Sequence, residues 1–220
     1  MRFTLITEGV SENRIIKHIL VKYFKEYELF FRDAQPQIVN EKQETIGGWN
    51  EVLKYCGRTD DLKEIFNNSD YLIIQIDTDQ SETKPFDVSH SKDDNTSKTV
   101  DELYVDVVEK LKGLINPDIL ESYSNKIFFA ICIHSIECWL IPIYYQDKHK
   151  TKTLNCFDTL NLALRKHDIH VIPSKNKNTP IGIRGYEEIL KNWKKKQDID
   201  KSAQSNKGFE RFVESLKTIE

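Results

Sequence analysis

The chain contains no apolar run approaching the roughly 18 residues that a membrane span needs. Its first residues enter a strand-like segment without the charged-then-apolar pattern of a secretory leader. A soluble, cytoplasmic protein that does not engage membranes is therefore expected. Cysteine is scarce: Cys56, Cys132, Cys138 and Cys156 form no CxxC pair. That spacing argues against a zinc site, and the apolar surroundings of Cys132 and Cys138 predict buried free thiols. No internal repeat is present, and no GxxxxGK[ST] phosphate loop, so this chain carries no nucleotide-binding signature of that kind.

With 220 residues, 39% of them hydrophobic, the chain can build one substantial core. The net charge of −3 conceals an asymmetry. Residues 1–139 hold 16 Lys and Arg against 25 Asp and Glu, whereas residues 140–220 hold 16 against 10. An acidic front half followed by a basic extension suits action on a phosphodiester backbone. Lys-rich solvated helices would give the same balance.

Two short apolar runs end in acids. Phe3 to Ile6 leads to Glu8-Gly9, and Tyr71 to Ile76 leads to Asp77 and Asp79. Both read as buried strands of a parallel sheet. A third, Ile127 to Ile133, leads through His134 and Ser135 to Glu137. Between them the spacing predicts helices over 11–26, with Ser11 as N-cap, and over 49–55, 62–66 and 100–114. A further strand is expected near 28–32. A short helix from Ser135 to Leu140 and helices over 155–166, 185–194 and 206–218 complete the reading, with a loop at 173–182. Residues 80–98 form a long polar stretch, either a functional loop or an insertion. Strand-helix alternation indicates an α/β sheet with helices on both faces, in an order the sequence does not reveal. The expected organisation is a core over 1–145 and a basic, mostly helical extension over 146–220 packed on it as one folding unit.

Carboxylates at the C-terminal ends of parallel strands converge in the crevice where open α/β sheets bind ligands. Three acids there repel one another unless a hard divalent cation sits among them, and Mg²⁺ is the natural choice. Alternate residues of an extended segment share a face, which would pair Asp77 with Asp79 as chelators. Gly9 would permit a sharp turn at the helix start.

The order of strand, Glu8-Gly9, helix, strand, Asp77-x-Asp79, and then Ser135-Ile-Glu-x-Trp-Leu140 resembles the TOPRIM domain. That domain is shared by topoisomerases, bacterial primases and the overcoming-lysogenization-defect (OLD) family nucleases, and the likeness is greatest to small stand-alone TOPRIM-like proteins of bacterial anti-phage defence. The tail 205–216, SNKGFERFVESL, is a looser likeness. The resemblance implies a TOPRIM-like Rossmannoid core and a Mg²⁺- or Mn²⁺-dependent nuclease. It implies Glu8, Asp77 and Asp79 as metal ligands and catalytic groups, Glu8 being ligand or general base. Glu137 either joins them or merely stabilises a helix start. It implies nucleic acid, DNA or RNA, as substrate and an ATPase as partner protein, and homo-oligomers are compatible with it. Lys175, Lys177 and Arg184 are the candidate phosphate contacts, ahead of Lys194, Lys195 and Lys196, which read equally as a solvated helix face. His134 could donate to a phosphate, although a lone His at a strand end is more often packed and hydrogen-bonded. Glu12 is a helix-start acid or a support for the ligands. The competing expectation is a non-catalytic TOPRIM-like binding or regulatory subunit.

Overall fold

The computed structural model describes residues 1–39, 42–173 and 179–219. The chain begins with β1 (Arg2–Ile6) and α1 (Val10–Tyr23), then β2 (Phe30–Gln35) and a two-strand hairpin, β3 (Ile38–Val39) with β4 (Lys42–Gln43). Helices α2 (Trp49–Cys56) and α3 (Thr59–Asn68) lead to β5 (Tyr71–Asp77). After the 80–98 segment come α4 (Val100–Leu114), α5 (Pro117–Tyr123) and β6 (Ile127–Cys132). The remainder is helical: α6 (Glu137–Leu140), α7 (Cys156–Lys166), α8 (Pro180–Leu190), α9 (Lys196–Ala203) and α10 (Lys207–Leu216).

Four strands form one parallel sheet in the order β2-β1-β5-β6, an α/β, Rossmann-like architecture. The crossover from β1 through α1 places β2 on one side, and the crossover through α2 and α3 places β5 on the other. The sheet therefore changes winding direction between β1 and β5, and ligands of open α/β sheets bind at the C-terminal ends of such a pair.

The period-2 alternation of the strands divides the core by face. Phe3, Leu5, Ile73, Phe128, Ala130 and Cys132 point to the side covered by α1 and the C-terminal helices, against Ile15, Ile16, Trp139, Tyr186, Trp193 and Phe212. Leu72, Ile74, Ile76, Ile127 and Ile131 point to the side covered by α2 to α5. The C-terminal helices thus complete one face of the same sheet. Trp139 lies flat against Phe209, with ring centroids 4.5 Å apart, so the helix after β6 and the last helix share a core.

Several boundaries differ from the sequence expectation. The first helix starts at Val10, so Ser11 lies inside it; its hydroxyl donates to Glu12 Oε2 at 2.9 Å, and the cap residue is Gly9. The second strand runs later, to Gln35, because its pairing with β1 extends to Ile6. The helix expected at 185–194 starts instead at Pro180, where Thr179 accepts from the Gly182 N–H, and a separate helix follows at 196–203. Helix α5, a seven-residue element started by Asn116 and Pro117, lies where the sequence pattern predicts no element.

The free-thiol expectation fails for Cys138, which forms a disulfide with Cys156. Turns after α6 reverse the chain and return the start of α7 to it, bringing the two Cα atoms within 5.0 Å. Cys56 and Cys132 are buried and free. The bridge closes an 18-residue separation, and chain-entropy reasoning assigns such a loop roughly 3 kcal/mol. Replacing both cysteines (Cys138→Ala with Cys156→Ala) should lower the urea midpoint accordingly, with an equal or steeper slope because the unfolded chain loses its cross-link. No helix among the described residues is long and apolar enough to cross a membrane.

Candidate functional site

Glu8 leaves β1 at the switch point and is fixed through its backbone on two sides. Its N–H donates to Gln75 Oε1 at 3.1 Å, and its carbonyl accepts from the Gly48 N–H at 2.7 Å. Its side chain then crosses to the neighbouring strand end, where Oε1 accepts from the Asp77 N–H at 2.7 Å. Glu8 and Asp77 therefore stand on adjacent strands, at the same end of the sheet.

Gln75 connects the two acids. Fully buried within an otherwise apolar strand, it accepts from Glu8 through Oε1 and donates through Nε2 to Asp77 Oδ1 at 2.9 Å. Nothing in the motif reading singled it out. The available signal was a lone amide inside YLIIQID, since a buried polar group needs partners and two of its partners are the acidic positions.

Asp77 is the last strand residue and is 4% exposed. Thr78 and Asp79 lie in a turn, so strand alternation does not align the two aspartates. They reach one place because the turn is fastened to the residue after β6: the Thr78 and Asp79 N–H groups both donate to the His134 carbonyl, and the His134 N–H donates to Thr78 Oγ1. Asp77, Asp79, His134, Ser135 and Glu137, with residues at the start of α7, line a cavity of about 310 Å³. Glu8 does not line this cavity and is joined to it through the Asp77 N–H.

Glu137 begins the single-turn helix α6, is 1% exposed, and accepts from the Tyr186 hydroxyl of α8. The arrangement is more than helix-start electrostatics, because an element far along the chain holds the carboxylate at the cavity. Ile136, Trp139 and Leu140 are core residues, as their spacing implies. Asn155, Phe157 and Asp158, which no motif marked, complete the wall. Phe157 and Asp158 open α7, and the disulfide at Cys156 ties that helix to α6 beside Glu137.

The glycine requirement lies elsewhere than expected. Gly9 has φ −159°, extended backbone that any residue adopts. Gly47 is the constrained position, since a Cβ there would lie 2.2 Å from the Glu8 carbonyl oxygen. The segment before α2 is thus pressed directly against the backbone of the candidate acid.

The 80–98 segment folds back onto the site. Phe86 is fully buried and stacks near Trp49, with centroids 6.0 Å apart. His90 Nε2 lies 2.9 Å from both the Thr78 carbonyl and Ser81 Oγ. This segment braces the turn carrying the two aspartates.

Charge at the site is legible in Cys132. Burial pushes its thiol well up, and the negative charge of Asp77 adds to this, with smaller contributions from Glu12 and Glu8, against a hydrogen bond from Gln75 that acts the other way. The thiol stays protonated and is no nucleophile. Glu12, fully buried one helical turn from Glu8, belongs to the same acidic group. Among the described residues, no three His, Cys, Asp or Glu side chains are gathered into a ready-made metal cage.

Of the candidate phosphate contacts, Arg184 is exposed on α8, while Lys175 and Lys177 lie outside the described residues. The Lys194-Lys195-Lys196 run is engaged locally: the first two donate backbone N–H groups to Asp198 Oδ2, and Lys196 Nζ sits 4.6 Å from the Tyr23 ring centre.

Comparison with protein-family models, with curated proteins and with solved structures returns no match for this chain.

Proposed function

We propose that the protein is a metal-dependent nuclease, a hydrolase of phosphodiester bonds, with Glu8, Asp77, Asp79 and Glu137 as its working carboxylates. The observation that carries this reading is the junction of Glu8 with Asp77 at the point where the sheet reverses its winding. The half-buried Glu8 reaches across to the backbone N–H of the buried Asp77, and Gln75 ties the Glu8 N–H to the Asp77 carboxylate. All the candidate ligands are hard carboxylate oxygens, the donor type suited to Mg²⁺ or Mn²⁺. Mg²⁺ is commonly held by only one or two carboxylates together with waters and substrate phosphate, so a preformed three-acid cage is not a requirement. When bound, the ion would lower the pKa of a water and offset charge on the leaving oxygen. Glu8, Asp77 and Asp79 would hold it, and Glu137, oriented by Tyr186, would position a water. Arg184, with Lys175 and Lys177, would contact the phosphate backbone.

On the resemblance to TOPRIM-like defence proteins, this activity would belong to an anti-phage effector working with an ATPase partner. The absence of a three-acid cage among the described residues favours a second reading, a regulatory or binding subunit that cleaves nothing alone. Incubating the purified protein with plasmid and total RNA separates the two. Cleavage with Mn²⁺ and none with EDTA is expected; intact substrates under both conditions would select the binding subunit.

A further inference from the structure

The carboxylate reading leaves the histidine of the cavity lining, His134, unused. Its backbone is laced to the Asp77–Asp79 turn by three hydrogen bonds, its N–H to Thr78 Oγ1 at 2.7 Å and its carbonyl from Thr78 N at 3.2 Å and Asp79 N at 3.0 Å. These hold it at φ 69°, in the left-handed region, a conformation that residues with a Cβ adopt uncommonly and that gathers at functional sites when the surroundings enforce it. The packed, hydrogen-bonded histidine expected from its strand-end position is not what the ring shows. Nδ1 is buried and has no hydrogen-bond partner among the described residues, while the residue itself lines the cavity with Asp77, Asp79 and Glu137.

A proton on Nδ1 would be a buried donor without an acceptor, the costly way to leave a polar group. The ring's other nitrogen, Nε2, is then the one available as a donor. The charged groups of the lining are otherwise the carboxylates Asp77, Asp79, Glu137 and Asp158, all acceptors when ionised. An anionic phosphoryl oxygen entering among them needs a donor, and a rigidly held N–H at the edge of the aspartate turn supplies one.

We propose that His134 is a substrate-contacting residue whose Nε2–H donates to a non-bridging oxygen of the phosphodiester in this cavity. The substrate class rests on the nuclease reading; the donor rests on the cavity and the orphaned Nδ1. The test uses the full chain labelled with ¹⁵N-histidine. Long-range ¹H–¹⁵N correlation should report His134 as the Nε2–H tautomer, and a DNA or RNA oligonucleotide added in EDTA should shift its Nε2 resonance. In the Mn²⁺ cleavage assay His134→Ala should lower kcat/KM by roughly 10²-fold, the size of losing one positioned donor. His134→Gln, whose amide N–H can approach the place of Nε2, should recover at least about tenfold of that, with thermal melts near wild type for both. An Nδ1–H tautomer, an unmoved Nε2 resonance with both oligonucleotides, or wild-type cleavage by His134→Ala would overturn the proposal. If the wild-type protein cuts neither nucleic acid but the Nε2 resonance still shifts, the nuclease reading fails and the histidine contact stands.

Discussion

Asp77→Asn should abolish cleavage while leaving the fold intact. The substitution removes a charge worth several kcal/mol to a metal-assisted displacement, which corresponds to roughly 10³-fold or more in rate. It removes little from the structure, because the amide oxygen can still accept from Gln75 Nε2, and the backbone N–H still donates to Glu8. Without metal, Asp77, Glu8 and Glu12 lie close enough that all three act on the same thiol, Cys132. Relieving that repulsion should hold or raise the melting temperature of the metal-free protein. Rates on plasmid and RNA, with melts in EDTA and in Mg²⁺, separate a chemical loss from a folding loss. Wild-type cleavage by the variant would remove Asp77 from the chemistry.

Gly47→Ala should damage both stability and activity, although Gly47 carries no chemistry. The new methyl would stand 2.2 Å from the Glu8 carbonyl oxygen, and backbone cannot yield as a flexible side chain does. Overpacking of this kind costs about 1–3 kcal/mol. The strain falls on the residue whose side chain reaches Asp77, and a displacement of about 1 Å in a catalytic group can cost 10²-fold in rate. A lower urea midpoint together with depressed cleavage is the expected pair of results. Full activity with only reduced stability would show that the position of Glu8 is uncritical.

These two residues mark what the sequence disclosed and what it withheld. Strands β1, β5 and β6 were legible because each is an apolar run closed by polar residues, and their terminal acids were legible for the same reason. Sheet order was not, since hydrogen bonding between β1 and β5 joins residues nearly 70 positions apart. The closeness of Glu8 and Asp77 depends on that pairing, as does the work of Gln75. Gly47 was visible only as half of a Gly-Gly pair before a helix; its contact with Glu8 is a tertiary fact. The alignment of Asp77 with Asp79 was anticipated on the wrong ground, because a turn tied to His134 does what an extended segment was expected to do. The Cys138–Cys156 bridge escaped because apolar neighbours say that a thiol is buried and nothing about which other thiol is buried beside it.

Manganese binding to the wild-type protein, to Glu8→Gln and to Asp77→Asn, measured by titration calorimetry, tests most directly whether the two strand-end acids share one ion. Binding by the wild type that is lost or weakened at least about tenfold in both variants is expected. Equal affinity in all three proteins would contradict a joint site at the switch point between β1 and β5.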